Sequence, residues 1–597
     1  MHPSFLEFFR RASNSHEHQK IMNIEPLFFR ALDGARLCGV WRWSTPTPNN
    51  CWIICPPFAE EEKSAHRTLV ELADSLVAQG DAVLFFAYGG IGDSEGEFSA
   101  ASLTSWSEDI LDACNYSRAR YPQSTLGLIG LRLGASLAAQ VGEQTSVDNL
   151  ILIEPILRGR SFLMQLGARK KLRAMMTEEE GGSQKSEVRS QNAKFEDLDG
   201  WPLGATLREE LKVLDLSSHP PKIKGGVLAL QVSSREQISP ALEQFARALN
   251  EGASTQAVVM PPFWNRLDHL DSTPLIEAVA KFETQKSPQE IHSHALPISE
   301  IKDEIFTLEN PSSQTLVAIH QRSKIKNQKS KIKNQSPQLL FLHGWTGYRT
   351  GPHQMLVGAS RHFAEAEYSG LRFDFAGRGD SEGDAKLTTL ATMADDAREM
   401  IRYLRDENPL APIVLVGLCS GCEVAFAVAD EAGVSGLMLW SAPVFAAGQS
   451  SERMARKRST HLKDYARKMM RPATWAKVLS GRLDVKGVRK VIGQGGGEEH
   501  KNIESGEAGH LPKGWREDAM QRFSKVRVPS LLIYGTADPT TEEALAWHRG
   551  QLRVEPEIHL VDGANHSYYG LDWESEVFAA SEKWLSRHFS FLPEADD

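Results

Sequence analysis

Ile413-Val414-Leu415-Val416-Gly417-Leu418-Cys419-Ser420-Gly421 is an apolar run that breaks at a glycine-flanked cysteine. An alanine-rich stretch, Val424-Ala425-Phe426-Ala427, follows it. The run predicts a buried strand, and the alanine-rich stretch predicts a helix. Gly417 and Gly421 mark a turn between them so tight that neighbouring Cβ atoms would clash. The same pattern stands 287 residues earlier, where Thr125–Ile129 leads into Gly130-Leu131-Arg132-Leu133-Gly134. Gly92-Asp93-Ser94-Glu95-Gly96 and Gly379-Asp380-Ser381-Glu382-Gly383 share that offset, as do Pro56-Pro57-Phe58 and His343-Gly344-Trp345. Repeats at one offset indicate two copies of one fold.

Each copy reads in the same order. Two β-rich runs come first, Pro26–Ala31 with Ala35–Trp43 and Glu304–Glu309 with Thr315–Gln321. A short apolar strand follows at Cys51–Cys55 or Leu339–Leu342, then a helix at Arg67–Gln79 or near Pro352–Ala364. Short apolar runs alternating with helical periodicity predict an α/β fold, a mostly parallel sheet with helices on both faces. The expected organisation is an N-terminal extension at 1–20, a first domain at 21–287 and a second at 297–590. The twice-repeated Ser-Lys-Ile-Lys-Asn-Gln lies within 323–337 and reads as a low-complexity loop inside the second domain.

Composition narrows the function classes. The 597 residues are 41% hydrophobic and 24% charged, as in an ordinary globular protein. A formal net charge of −10 gives no basic field for nucleic acid. No apolar run reaches transmembrane length, and no signal peptide is evident at the N-terminus. Six cysteines are too sparse for a disulfide framework, so a cytoplasmic setting is expected.

In the second copy, Val528–Tyr534 reads as a strand, and Gly535-Thr536-Ala537-Asp538 follows it. Ile558–Val561 is the last strand, and Asp562-Gly563-Ala564-Asn565-His566 follows. Nucleophile, acid and histidine in that chain order, each at a strand end, resemble the α/β-hydrolases, whose nucleophile elbow has the form of Gly417-x-Cys419-x-Gly421. The resemblance implies Cys419 as nucleophile, His566 as base and Asp538 as the acid that orients it. It implies an oxyanion hole from the backbone N–H groups of Trp345 and Ser420, with His343 and Gly344 lining the substrate. Serine is the usual elbow residue, and dienelactone hydrolases are similar in using cysteine. No metal or cofactor is required. Cys422 completes a C-x-x-C pair with Cys419 and reads as packing or as a resolving thiol.

The first copy lacks these groups. Arg132 stays protonated and cannot attack a carbonyl. Pro56-Pro57 supplies no N–H. Pro261-Pro262-Phe263-Trp264 stands where the histidine belongs, and His269 beyond it reads as incidental. Arg132, Glu60 and Glu61 form either a binding site or a structural ion pair. Pro56–Glu61, Gly130–Gly134, Glu154-Pro155, Arg158-Gly159-Arg160 and Pro261–Trp264 resemble one of two hydrolase-like families associated with exosortase A systems. Tyr348–His353 and Gly417–Cys419 resemble the other. Phe375–Ser381 and His343-Gly344 are similar to serine-aminopeptidase-like and monoacylglycerol-lipase-like hydrolases. The exosortase resemblance implies a link to exported polysaccharide or protein sorting.

Residues 446–515 read as a helical cap with a basic run, Arg453 to Arg471. Arg158, Arg160, Arg169, Lys170, Lys171 and Arg173 parallel it in the first copy. Such a run is a solvated helix face or an electropositive lid for an anionic or amphiphilic acyl substrate. The reading is an ester, thioester or lactone hydrolase acting on a small-molecule or lipid-like acyl substrate. An acyltransferase through the same acyl-cysteine and a non-catalytic scaffold are the alternatives.

Overall fold

A computed structural model describes residues 22–31, 33–177, 195–266, 269–284, 304–323, 336–445 and 511–589. The expected extension at 1–20, most of the low-complexity loop, the boundary at 287–297 and cap residues 446–510 lie outside these.

The first half builds strands β1 (Asn23–Arg30), β2 (Arg36–Trp43), β3 (Asn50–Cys55), β4 (Ala82–Phe86), β5 (Thr125–Leu131) and β6 (Asn149–Ile153). A hairpin, β7 (Phe195–Leu198) and β8 (Trp201–Gly204), precedes β9 (Gly226–Ser233) and β10 (Ser254–Val259). The second half builds β11 (Ile305–Glu309), β12 (Thr315–Gln321), β13 (Gln338–Leu342), β14 (Ser369–Phe373), β15 (Ile413–Leu418), β16 (Val434–Trp440), β17 (Ser530–Gly535) and β18 (Glu557–Val561). Their orders correspond: β1-β2-β4-β3-β5-β6-β9-β10 and β11-β12-β14-β13-β15-β16-β17-β18. The second strand of each sheet is antiparallel to both neighbours, and the remaining pairs are parallel.

Both faces of each sheet are covered. The helices Leu103–Arg120 and Leu133–Gln144 pack one face of the first sheet, and Glu60–Ala78 and Thr273–Ala280 pack the other. Leu390–Glu407 and Gly421–Val428 oppose Met355–Glu365 and Leu571–His588 in the second. Strands buried on both sides explain the near-continuous apolar runs. The helix expected at Arg67–Gln79 begins earlier, at Glu60. Pro56 and Pro57 end the strand pairing. Glu60, Glu61 and Glu62 then place negative charge at the helix N-terminus, where the macrodipole favours it.

The two sheets meet through their first strands. Phe28 and Cys38 pack against Ile305 and Ile319, and Ile24 and Val40 against Val317. Beside this apolar seam lies a buried charge network built on the two Gly-Asp-Ser-Glu-Gly turns. Arg349 bonds Asp93 at 2.9 Å and Asp380 at 2.7 Å, and also Asp374. Arg372 pairs with Asp93 at 2.7 Å, and His66 with Asp380 at 3.2 Å. The turns are gripped reciprocally. Arg67 donates to the carbonyls of Ser381 and Gly383, and Arg361 donates to those of Gly92 and Ser94. A buried arginine in such a network is satisfied only if its several N–H groups all find acceptors.

Candidate active site

The site lies at the carboxyl ends of β13, β15, β17 and β18. β13 sits between β14 and β15, so the loops after β13 and β15 diverge there and open a crevice.

The elbow after β15 holds Cys419 at φ 54°, a strained conformation for a residue with a side chain. A Cβ on Gly421 would stand 2.0 Å from the Leu342 carbonyl oxygen, and one on Gly417 2.7 Å from Cys422 Cα. Both glycines are therefore steric requirements of the turn. The Cys419 N–H donates to the Trp440 carbonyl at 3.0 Å, which ties the turn to β16. Cys419 is partly exposed, while Cys38, Cys51, Cys55, Cys114 and Cys422 are buried. Cys422 faces inward with its Sγ 3.5 Å from the Trp440 carbonyl, in a packing position.

His566 Nδ1 lies 2.6 Å from Asp538 Oδ2. Its ring also interacts electrostatically with the Cys419 side chain. Burial works against the imidazolium, but the charges on Cys419 and Asp538 and the hydrogen bond the ring donates to Asp538 outweigh it and push the His566 pKa up to about 10. Asp538 is buried, which alone would raise its pKa. The His566 hydrogen bond and charge, with the Thr540 N–H and hydroxyl at 3.0 and 2.8 Å, hold it below the usual carboxylate range. The His566 side chain keeps 37% exposure.

The loop after β13 passes over the elbow. The Trp345 N–H points at it but donates to Ser420 Oγ at 2.6 Å. The Ser420 N–H has no backbone acceptor among the described residues. The Trp345 ring lies under the Arg378 guanidinium, 4.5 Å from its centroid. His343 corrects the sequence expectation, because it is only 1% exposed and lies behind the loop instead of lining the substrate. Its Nδ1 donates to the Gly344 carbonyl at 2.9 Å, and its Nε2 accepts from the Phe375 N–H at 3.4 Å. Burial, with the Arg378 and Arg349 charges, lowers its pKa to about 3 against the opposing Gly344 bond, so the ring is a neutral strut. Gly344 lies close to the elbow, 3.4 Å separating its Cβ position from Cys419 Cβ.

The corresponding turn of the first half keeps the backbone and carries an arginine in place of the cysteine. Arg132 has φ 57°, and its N–H donates to the Ile153 carbonyl at 2.9 Å, as Cys419 does to Trp440. Its guanidinium meets Glu61 at 3.3 and 3.4 Å and lies 5.2 Å from the Trp264 ring. Of the two carboxylates considered, Glu61 partners Arg132, whereas Glu60 turns toward the second half. His269 bonds Glu71 at 2.7 Å, on the helix that begins at Glu60. The basic residues of the first half are tied locally. Arg158 bonds Ser217, Arg160 the Lys212 carbonyl and Lys170 the Asp197 carbonyl. No helix among the described residues is long and apolar enough to cross a membrane.

Sequence reasoning missed three residues of this region. They are Ser420 as a hydroxyl acceptor, His353 and Tyr569. Tyr569 lies close to His566 in sequence, but nothing local marks its partner.

Residues 339–580 match the alpha/beta hydrolase family. No curated protein sequence matches the chain. Among solved structures, an alpha-beta serine hydrolase homologue from Coxiella burnetii is similar at 15% identity, with 48% of this chain and 97% of that one covered and a TM-score of 0.30. The esterase Est1E from Butyrivibrio proteoclasticus, with ferulic acid bound, is similar at 15% identity over 48% and 100%, TM-score 0.33. The esterase domain of a Rhodothermus marinus protein is similar at 20% identity over 48% and 98%, TM-score 0.31. Likeness at this level brings no substrate with it. The chain carries two mostly parallel eight-stranded sheets flanked by helices, an arrangement consistent with tandem alpha/beta hydrolase domains, and residues 339–580 of its second half are similar to the alpha/beta hydrolase family.

Proposed function

We propose that the second half is a carboxylic ester or thioester hydrolase with Cys419 as nucleophile, His566 as base and Asp538 as acid. The observation that carries this reading is the 2.6 Å Asp538–His566 contact beside a cysteine held at φ 54° on the elbow. His566 takes the thiol proton, and the thiolate attacks the acyl carbonyl. The developing oxyanion displaces Ser420 Oγ from the Trp345 N–H and accepts a second bond from the Ser420 N–H. Collapse breaks the bond to the leaving group, which takes the proton from His566. Water, deprotonated by His566, then attacks the acyl-cysteine, and the acid departs as the thiol re-forms.

The first half is non-catalytic in this reading. Arg132 stands in place of the nucleophile and is paired with Glu61. Phe263 and Trp264 follow β10 where the base would be. The test is turnover of p-nitrophenyl esters and acyl thioesters of graded chain length by the native protein and by Cys419→Ala. Turnover that falls about 10³-fold or more in the variant supports the hydrolase. A single burst without turnover indicates an acyltransferase awaiting its acceptor. Equal rates in both proteins would overturn the assignment of Cys419.

A further inference from the structure

The loop that carries His566 is held within its own half by Asp538, Thr536 and Ile533, and two further contacts reach it from the first half. Tyr569 Oη donates to Glu60 Oε1 at 2.7 Å across the domain interface. The other oxygen of Glu60 accepts the His353 N–H at 3.0 Å, at the far end of the loop that begins with His343. His353 in turn lies 3.0 Å, through Nε2, from the carbonyl of Ser567, the residue after His566. Asp197, in the β7–β8 hairpin of the first half, accepts the Leu571 N–H at 3.1 Å. The turn of that hairpin presses on His353 so closely that a Cβ on Gly200 would stand 2.7 Å from its ring. Tyr348, in the same loop as Trp345, donates to Glu62. The contacts reach both the oxyanion loop and the histidine loop, and Glu60 touches both.

We propose that the first domain is a built-in positioning subunit for the second domain's active site, with Glu60 as its principal positioning residue. The proposal rests on the hydrolase reading above. The helix Glu60–Ala78 follows the Pro-Pro turn that stands where an oxyanion loop would be. The acidic first turn therefore serves the neighbouring domain, while its middle carboxylate, Glu61, neutralises Arg132. Glu60 is also paired with Lys63 at 2.8 Å, and His353 with Glu574 at 2.8 Å. Burial opposes ionisation of Glu60, but Lys63, Tyr569 and His353 outweigh it and hold its pKa at about 2. It is thus an ionised acceptor throughout the working range. Without it, the His566 loop loses a strong charge-assisted bond, and the imidazole is less well held against Cys419.

The experiment uses full-length protein and needs no substrate for its first readout. Cys419 is the partly exposed cysteine and the other five are buried, so alkylation by iodoacetamide as a function of pH reports its thiolate. In Glu60→Gln and in Tyr569→Phe, the alkylation midpoint moves up by about one pH unit, because a displaced imidazolium stabilises the thiolate less. Ester kcat falls about tenfold with KM little changed, and the double variant is no worse than either single one. Asp74→Asn, a carboxylate on the same helix that pairs with Arg42 away from this loop, leaves the midpoint where it was. Tyr569→Phe removes a single hydroxyl and decides the matter if Glu60→Gln does not fold. Unchanged midpoints and kcat in both variants, with or without a loss of thermal stability, overturn the proposal. A native protein with neither a low-pH thiolate limb nor ester turnover overturns the hydrolase reading itself, which is a separate result.

Discussion

Arg349→Met tests whether the buried network joins the two domains energetically. Arg349 is 5% exposed and serves Asp93, Asp374 and Asp380 together. After its removal Arg372 still neutralises Asp93, and Arg42 and His66 still face Asp380. Asp374 keeps only hydrogen bonds to the Asp380 N–H and the backbone N–H at position 349. Leaving one buried charge unpaired costs about 3–5 kcal/mol. If the second domain of about 290 residues unfolds as a unit, its unfolding entropy is roughly 0.6 kcal/mol/K, and Tm falls by about 5–8 °C. The pH dependence follows from Asp374, whose pKa is already raised by burial, against the pull of Arg349. Without Arg349 it rises further, so the native state binds a proton that the unfolded state gives up. The destabilisation is therefore larger at about pH 8 than at about pH 5. Arg349→Met/Asp374→Asn recovers part of the loss, because it removes the unpaired charge. Calorimetry on the three proteins is the assay. A Tm for Arg349→Met within about 1 °C of the native value would refute the argument.

Ser420→Ala removes the hydroxyl that competes for the Trp345 N–H at 2.6 Å. A neutral hydrogen bond is worth about 1 kcal/mol, so kcat/KM rises by up to about fivefold, and a large fall would show that the hydroxyl assists the reaction. Arg132→Cys in a Cys419→Ala background regains no ester turnover, since Phe263 and Trp264 stand where the first half would need its histidine, and turnover above that of Cys419→Ala alone would sink that account. His566 contributes stability that is fully present below about pH 6.5 and is lost as pH rises through about 10. His566→Gln therefore lacks the part of the native decline in Tm within this window, and identical declines would count against the Cys419–His566 pair.

Much of the fold was legible because the buried strands are short apolar runs and the turns are punctuated by glycine and proline. Helix beginnings were harder. Glu60, Glu61 and Glu62 do not look like the start of an amphipathic pattern, yet the helix dipole places it there. Candidate residues were legible where each follows a strand and chain order arranges them. His343 was placed wrongly because its position in the motif says nothing of which way its ring turns.

Local chemistry by itself determined the repeated order of motifs, the strand–turn–helix at Cys419 and at Arg132, and the order of Cys419, Asp538 and His566. These depend on steric and hydrogen-bonding rules acting over a few residues. The tertiary structure alone decided that Glu61 turns to Arg132 while Glu60 reaches Tyr569, and that Asp93 and Asp380 share Arg349. Those partners lie far apart in the chain. Periodicity sets which face of an element is buried, but only the docking of one sheet against the other sets which buried charges meet.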